Sequence, residues 1–268
     1  MQKTFNRIRK AVFFWDKPEI YIISYPKTGR TWLRVLIGKS LSLMNDLPEK
    51  RILNTEYISA ASNLPRTAVT HDGSEMRVRR SYEELNPDKS QYKNKKVILM
   101  SRDVKDTLVS AYFHATKRIK VFDGSISEFI RSEHYGARKI LTFYRQWHEA
   151  RNIPKGFHFL RYEDLHRSPE TTLTNVLSFL GVKETPPDII KSAIDFASFD
   201  NLKKAEAEHK FASGILTATD GSDPQSYKVR EGKIGKYSKY LNQEDVKYVD
   251  DMANLLGCEF TMSADSGL

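Results

Sequence analysis

The run Ile20-Tyr21-Ile22-Ile23-Ser24 and the segment behind it, Tyr25-Pro26-Lys27-Thr28-Gly29-Arg30-Thr31-Trp32, constrain the fold more than any other part of the chain. The run is short, apolar and rich in β-formers, which reads as a buried strand. Past the segment, Leu33, Leu36, Ile37, Leu41 and Met44 recur at helical spacing. A strand, a tight loop and a helix therefore follow one another. The first amides of a helix have no partner within it, and the positive end of its dipole lies among them. Such a spot binds phosphate. Gly29 lets the backbone approach a ligand closely, Lys27 adds a point charge, and Thr28 and Thr31 add hydroxyls. An ordinary βα turn with a solvated lysine would carry the same residues. The Walker pattern is absent, because the lysine precedes the glycine.

The rest of the chain repeats this alternation. Thr67-Ala68-Val69-Thr70, Val97-Ile98-Leu99-Met100 and Phe157-His158-Phe159-Leu160-Arg161 predict strands. Helices are expected from Val104 to Ala115, through the aromatic-rich stretch Gly124 to Ala150, from Asp188 to Phe196 and from Gln243 to Leu256. Another begins at Ser168-Pro169, as N-cap and first helical position, and closes at Gly181. Ala205 to Ser226 lacks apolar periodicity and reads as a long functional loop with little to bury. These units imply one α/β domain with a mainly parallel sheet covered by helices on both faces. Ligands of such sheets gather beyond the strand C-termini. Lys27, His71, Arg102 and Tyr162 all fall at such ends. Arg102 precedes a helix and Ser110 lies eight residues on, so both are able to reach one anion.

Length and charge narrow the partners. A chain of 268 residues holds one sizeable domain, expected at 20–260, with an N-terminal extension at 1–19 and a disordered tail at 261–268. The formal net charge of +9 favours anionic ligands. The single cysteine, Cys258, excludes an internal disulfide and a thiol-ligated metal cluster, which suits a reducing, cytoplasmic location. No apolar run is long enough to span a membrane. The basic, aromatic segment Met1 to Lys17 is expected to pack on the domain or fray, with a membrane-surface helix as the alternative.

Three separated motifs, in order, resemble the sulfotransferases of the cytosolic type that use 3′-phosphoadenosine 5′-phosphosulfate (PAPS). The first is Tyr25 to Trp32, where Arg30 stands in place of a common small hydroxyl residue. The second is Arg102 followed eight residues later by Ser110. The third is Arg230-Glu231-Gly232-Lys233-Ile234-Gly235-Lys236-Tyr237, an altered form of the family's R-K-G-x-x-G-D-W-K. Tyr162 and Phe199 also match positions that hold the nucleotide. The resemblance implies a P-loop-like phosphosulfate loop formed by Lys27, Thr28, Gly29, Arg30 and Thr31. It implies a 3′-phosphate site at Arg102, Ser110, Arg230, Glu231 and Gly232, and an adenine slot at Trp32, Tyr162 and Phe199. Catalysis would fall to Lys27 on the leaving oxygen and His71 as general base, with Ser110 beside them, leaving adenosine 3′,5′-bisphosphate (PAP) as product. No metal is required by this scheme. Val69 replaces a frequent lysine, Ala197 replaces a hydroxyl, and the family's C-terminal dimer motif is not visible.

Two other readings remain open on the residues alone. A nucleotide-dependent kinase would need an acid for Mg²⁺, with Asp72 or Asp103 as candidates. A non-catalytic nucleotide- or nucleic-acid-binding protein would use the charge, although the basic residues fall at phosphate-loop positions rather than along one stripe. The surrounding aromatics suit a phenol, steroid or lipid-linked acceptor, and Arg77, Arg79 and Arg80 suit an anionic sugar. Asp72 rivals His71 as base, and the oligomeric state is not legible.

Overall fold

β1 (Ile20–Ser24) is the inner strand on which the sheet is built, and its apolar side chains are almost all buried. The computed structural model describes residues 17–217, 223–230 and 232–261. Glu231, nearly all of the expected N-terminal extension and residues 262–268 of the expected tail lie outside the described residues. In chain order, β1 leads to α1 (Arg30–Asn45), α2 (Thr55–Ala61), β2 (Thr67–Thr70), β3 (Lys96–Ser101) and α3 (Val104–Phe113). Then come α4 (Ile126–Arg131), α5 (Ala137–Glu149), β4 (Gly156–Arg161), α6 (Tyr162–Arg167), α7 (Pro169–Leu180), α8 (Pro187–Phe196), α9 (Phe199–Ala207) and α10 (Gln243–Leu256).

The four strands pair in parallel in the order β2-β1-β3-β4. Successive side chains of a strand point to opposite faces, and the two cores follow that alternation. Ile20, Ile22, Ile98 and Met100 join the core under α1 and α7, whereas Ile23, Val97 and Leu99 join the one under α3 and α5. Both faces are thus covered, which accounts for the continuous apolar runs. Strand order reverses at the β1/β3 boundary, and open sheets of this kind bind ligands in the crevice there.

Three expectations change. The stretch Gly124 to Ala150 is two helices, not one. A capping box of Ser125 and Glu128 starts α4, and extended backbone at Ser132 ends it. The break lets Tyr135 stack flat on Phe129, centroids 5.5 Å apart, a pair that one continuous helix would hold on different sides. α3 stops at Phe113 and passes into a π-turn, His114–Arg118, a feature frequent at functional sites. The segment after Ala205 opens inside α9, and Glu206, Phe211, Leu216 and Ser226 are buried. Its described residues are anchored rather than loosely held. At α7, Pro169 and Gly181 occupy the expected positions, but the Ser168 side chain makes no capping bond.

Candidate active site

The loop after β1 is shaped by backbone sterics. Lys27 has φ 74° and Gly29 has φ 93°, so two left-handed residues turn the chain back on itself. For lysine that conformation costs about 1 kcal/mol. Gly29 has a second constraint, since a Cβ there would come within 2.4 Å of the Tyr162 ring. Thr28 is fully buried, and its hydroxyl donates to the Tyr25 carbonyl at 3.0 Å, which braces the turn. α1 makes its first bond from the Leu33 amide to the Gly29 carbonyl at 3.2 Å. The amides of Arg30, Thr31 and Trp32 therefore have no partner within the helix, and no acidic side chain stands in its first turn.

A cavity of about 720 Å³ opens in front of these amides. Lys27, Gly29, Arg30, Thr31 and Trp32 line it from the loop, and His71, Arg102 and Ser110 from β2, β3 and α3. Tyr162, Phe199, Arg230 and Gly232 complete the wall. Of the residues expected at the site, only Thr28 is absent from the lining, and Glu231 lies outside the described residues. Trp32 meets Tyr162 edge-on at 5.6 Å and donates its indole N–H to the Ala197 carbonyl at 3.0 Å. Gly232 has φ 60°, and a Cβ on it would lie 2.3 Å from Phe199. Two glycines are thus pressed against the two aromatic walls of one slot.

Arg102 lies over the Tyr162 ring at 4.4 Å and donates to the carbonyls of Lys27 at 3.5 Å and Lys233 at 3.1 Å. Its guanidinium joins the first and third motifs. Arg230 rests over Phe113 at 4.3 Å and donates to the Tyr240 hydroxyl at 2.9 Å. The Lys27 amine is pushed down to about 7, by burial first and then by Arg118, Arg102 and Arg230, with Glu206 opposing. A buried lysine among further cations is an environment that a bound anion would relieve.

Two carboxylates that pattern reading passed over hold this arrangement. Buried Asp106 accepts from the amides of Gly235 at 2.8 Å and Tyr237 at 3.0 Å and lies 3.5 Å from Arg102. Glu206, fully buried, accepts from Arg118 at 2.9 Å and from the amides of Lys228 at 2.7 Å and Val229 at 2.8 Å. Each pins a distant loop to a helix. In the sequence both resemble the solvated acids of any amphipathic helix.

His71 is half-buried beside the loop. Its Nδ1 lies 2.7 Å from the Ser24 carbonyl, which only an N–H can satisfy, so Nδ1 carries the proton and Nε2 the lone pair. An Arg30 guanidinium nitrogen sits 2.8 Å from Nε2, and the same side chain donates to the Thr70 carbonyl. Burial, and then Arg30, hold the imidazole neutral with its pKa well below the ordinary value. Asp72 points elsewhere. Its carboxylate accepts from Tyr92 at 2.8 Å and Trp147 at 3.0 Å and pairs with Lys89 at 2.7 Å, so it is a bracing group rather than a rival base. Asp103, the other candidate acid, accepts from the Asp106 amide at 2.9 Å as the cap of α3. His114, on the π-turn, also lines the cavity, and its buried Nδ1 has no hydrogen-bond partner among the described residues.

Fold and site together define an α/β protein with a cation-lined cavity at a helix N-terminus beside a neutral histidine. Residues 17–257 match the sulfotransferase domain family, and the chain belongs to it. It is a sulfotransferase. A flavonol 3-sulfotransferase of Flaveria bidentis is 23% identical over 257 residues, covering 87% of this chain and 80% of the relative. Cytosolic sulfotransferase 10 of Arabidopsis thaliana is 25% identical over 273 residues, covering 88% and 77%. Among solved structures, mouse sulfotransferase SULT7A1 complexed with PAP superposes with TM-score 0.64 at 18% identity, covering 93% of this chain and 89% of that one. Retinol dehydratase in a complex with retinol and PAP gives 0.64 at 17% identity, covering 97% and 87%. Among the described residues no helix is long and apolar enough to cross a membrane.

Proposed function

We propose that this sulfotransferase takes its sulfuryl group from PAPS and delivers it to a hydroxyl or amine of a small-molecule, lipid or sugar acceptor. The observation that carries the reading is the pair of glycines, Gly29 and Gly232, against Tyr162 and Phe199, beside the unpaired amides of α1. A planar base between the aromatic walls and a phosphate on the amides fit that cradle. The residues present therefore suit PAPS, which supplies the sulfuryl group by in-line displacement at sulfur.

The amides of Gly29 to Trp32, with Lys27, hold the 5′ end, the Thr28 hydroxyl serving only to brace the turn. Arg102, Ser110, Arg230 and the Gly232 backbone hold the 3′-phosphate, and Arg102 is oriented for this by Tyr162 and Asp106. Lys27, recharged once anions surround it, stabilises negative charge on the departing bridging oxygen. His71 Nε2 takes the acceptor proton, and the Nδ1–H bond to Ser24 keeps that lone pair facing the cavity. A cytoplasmic location is part of the same reading, in keeping with relatives named cytosolic sulfotransferases.

Incubation with ³⁵S-labelled PAPS and a panel of phenol, steroid and sugar acceptors tests it, with PAP binding measured by calorimetry in parallel. Label in an acceptor and saturable PAP binding are expected. Absence of PAP binding at millimolar concentration would overturn the reading.

A further inference from the structure

The cations in and around the cavity differ in their partners. Near Lys27, Arg102 lies beside Asp106 and Arg118 beside Glu206. Around His71 no cation forms an ion pair among the described residues, Glu75 acting on Arg30 only from beyond ion-pair distance. Arg30 meets the Thr70 carbonyl and His71. Arg34, only 6% exposed, donates to the Thr55 hydroxyl and the Leu53 carbonyl. Lys228 donates to the Ile215 carbonyl at 3.3 Å. All these partners are neutral, and Arg30, Lys228 and Arg34 are the charges that act most strongly on His71.

Buried cations without a counter-charge are costly, and an anion that joins them relieves that cost. The supply of charge can be weighed. Among the described residues eight lysines and arginines line the cavity against two carboxylates. PAPS brings about four negative charges, nearly two of them on its 3′-phosphate. In the reading above Lys27, Arg102 and Arg230 take the donor, whereas the side chains of Arg30, Arg34 and Lys228 line the same cavity without a part in holding it.

We propose that Arg30, Arg34 and Lys228 form an anion subsite beside His71, so that the acceptor carries a carboxylate, sulfate or phosphate close to the hydroxyl it presents. This rests on the sulfuryl-transfer reading and specifies its acceptor class. Arg30 is the specificity-determining residue of the three. An acceptor anion that draws its guanidinium from Nε2 also clears the lone pair that must take the proton. A neutral acceptor meets a blocked base and unneutralised cations instead. Burial, followed by Lys27, Arg118, Arg30 and Arg34, pushes the Lys228 amine well below its ordinary pKa, as expected of a site awaiting an anion.

The test uses the full chain saturated with PAP and matched probe pairs: 4-hydroxybenzoate with its methyl ester, and methyl glucuronoside with methyl glucoside, with phenyl sulfate and phenyl phosphate as further anions. Equilibrium binding is measured on wild type, Arg30→Ser, Arg30→Lys and Lys228→Met, and PAP affinity on each. At least one anionic probe should bind wild type about ten- to a hundredfold tighter than its neutral counterpart, the worth of one charge-assisted contact. Arg30→Ser should abolish that preference, and Arg30→Lys should retain part of it. Neutral preference in wild type, no anionic probe binding at millimolar concentration, or a preference unchanged in both Arg30→Ser and Lys228→Met overturns the subsite. A drop in PAP affinity in Arg30→Ser as large as the drop for the probe returns Arg30 to the donor and overturns it too. In each case intact PAP binding by wild type leaves the sulfuryl-transfer reading standing, whereas wild type that fails to bind PAP defeats that reading itself.

Discussion

The two halves of the cavity are built on opposite principles. On the donor half, Arg102 and Arg118 have carboxylates close by, and each glycine is fitted to an aromatic ring. On the acceptor half, Arg30, Arg34 and Lys228 lean on neutral groups and crowd a histidine. A site that must hold one invariant ligand gains from geometry fixed in advance. A site whose counter-charge arrives with the substrate keeps its cations unpaired until then. On the proposed reading, the contrast would separate residues that set affinity for the donor from residues that set rate and choice of acceptor.

The most severe test of that division is His71→Ala. Turnover should fall by about 10²- to 10⁴-fold, the usual share of a general base, while PAP affinity changes little. Asp72→Asn supplies the contrast. It should lower thermal stability, because buried Lys89 loses its charged partner, yet leave turnover within a few-fold. If the two variants exchange behaviours in steady-state assays, base and brace have been assigned the wrong way round.

Lys27→Ala comes next. Loss of one donor to a charge that develops only in the transition state removes about 10²- to 10³-fold in kcat. Calorimetry should find PAP binding less affected than turnover. Equal losses in both would make Lys27 a binding residue only.

Arg102→Ala should act on the donor half alone. Deleting its contact to the 3′-phosphate costs about 1.5–3 kcal/mol in PAP affinity, with less effect on adenosine 5′-phosphosulfate, which lacks that phosphate. A titration of both ligands decides this. Similar losses for the two would mean that Arg102 works through Lys27 and Lys233, whose carbonyls it holds.

The smallest expected effect is on pH. With its pKa near 7 in the free protein, Lys27 is largely neutral at pH 8, facing Arg118, Arg102 and Arg230 with only Glu206 opposing. Bound PAP raises that pKa, so binding takes up a proton, and affinity should fall by up to about tenfold per unit as pH rises above 7. Protonation of the ligand's own phosphate, near pH 6, weakens binding from the other side. Calorimetry in buffers of different ionisation enthalpy should register the uptake at pH 8. Affinity that stays flat from pH 7 to 9 would remove Lys27 from the electrostatics of the donor half.

By itself the sequence determined the strand–loop–helix at Ile20 to Met44, the parallel sheet and most of the residues that line the cavity at the strand ends. It did so because those features are local. Strands buried on both faces must be continuously apolar, and a phosphate loop needs its glycine, lysine and helix within one short stretch. What only the tertiary structure decided is long in range. Asp106 finds the amides of Gly235 and Tyr237 far along the chain, and Glu206 finds Arg118. Arg30 reaches His71 only because β1 and β2 lie side by side with Ile23 opposite Thr70. Asp72, the neighbour of His71 in sequence, is turned by its own φ of 49° toward Tyr92 and Trp147. Hydrophobic periodicity records which face of an element is buried. It does not record which buried charge meets which, because a polar contact is fixed by two backbones brought together in space and leaves no period in either.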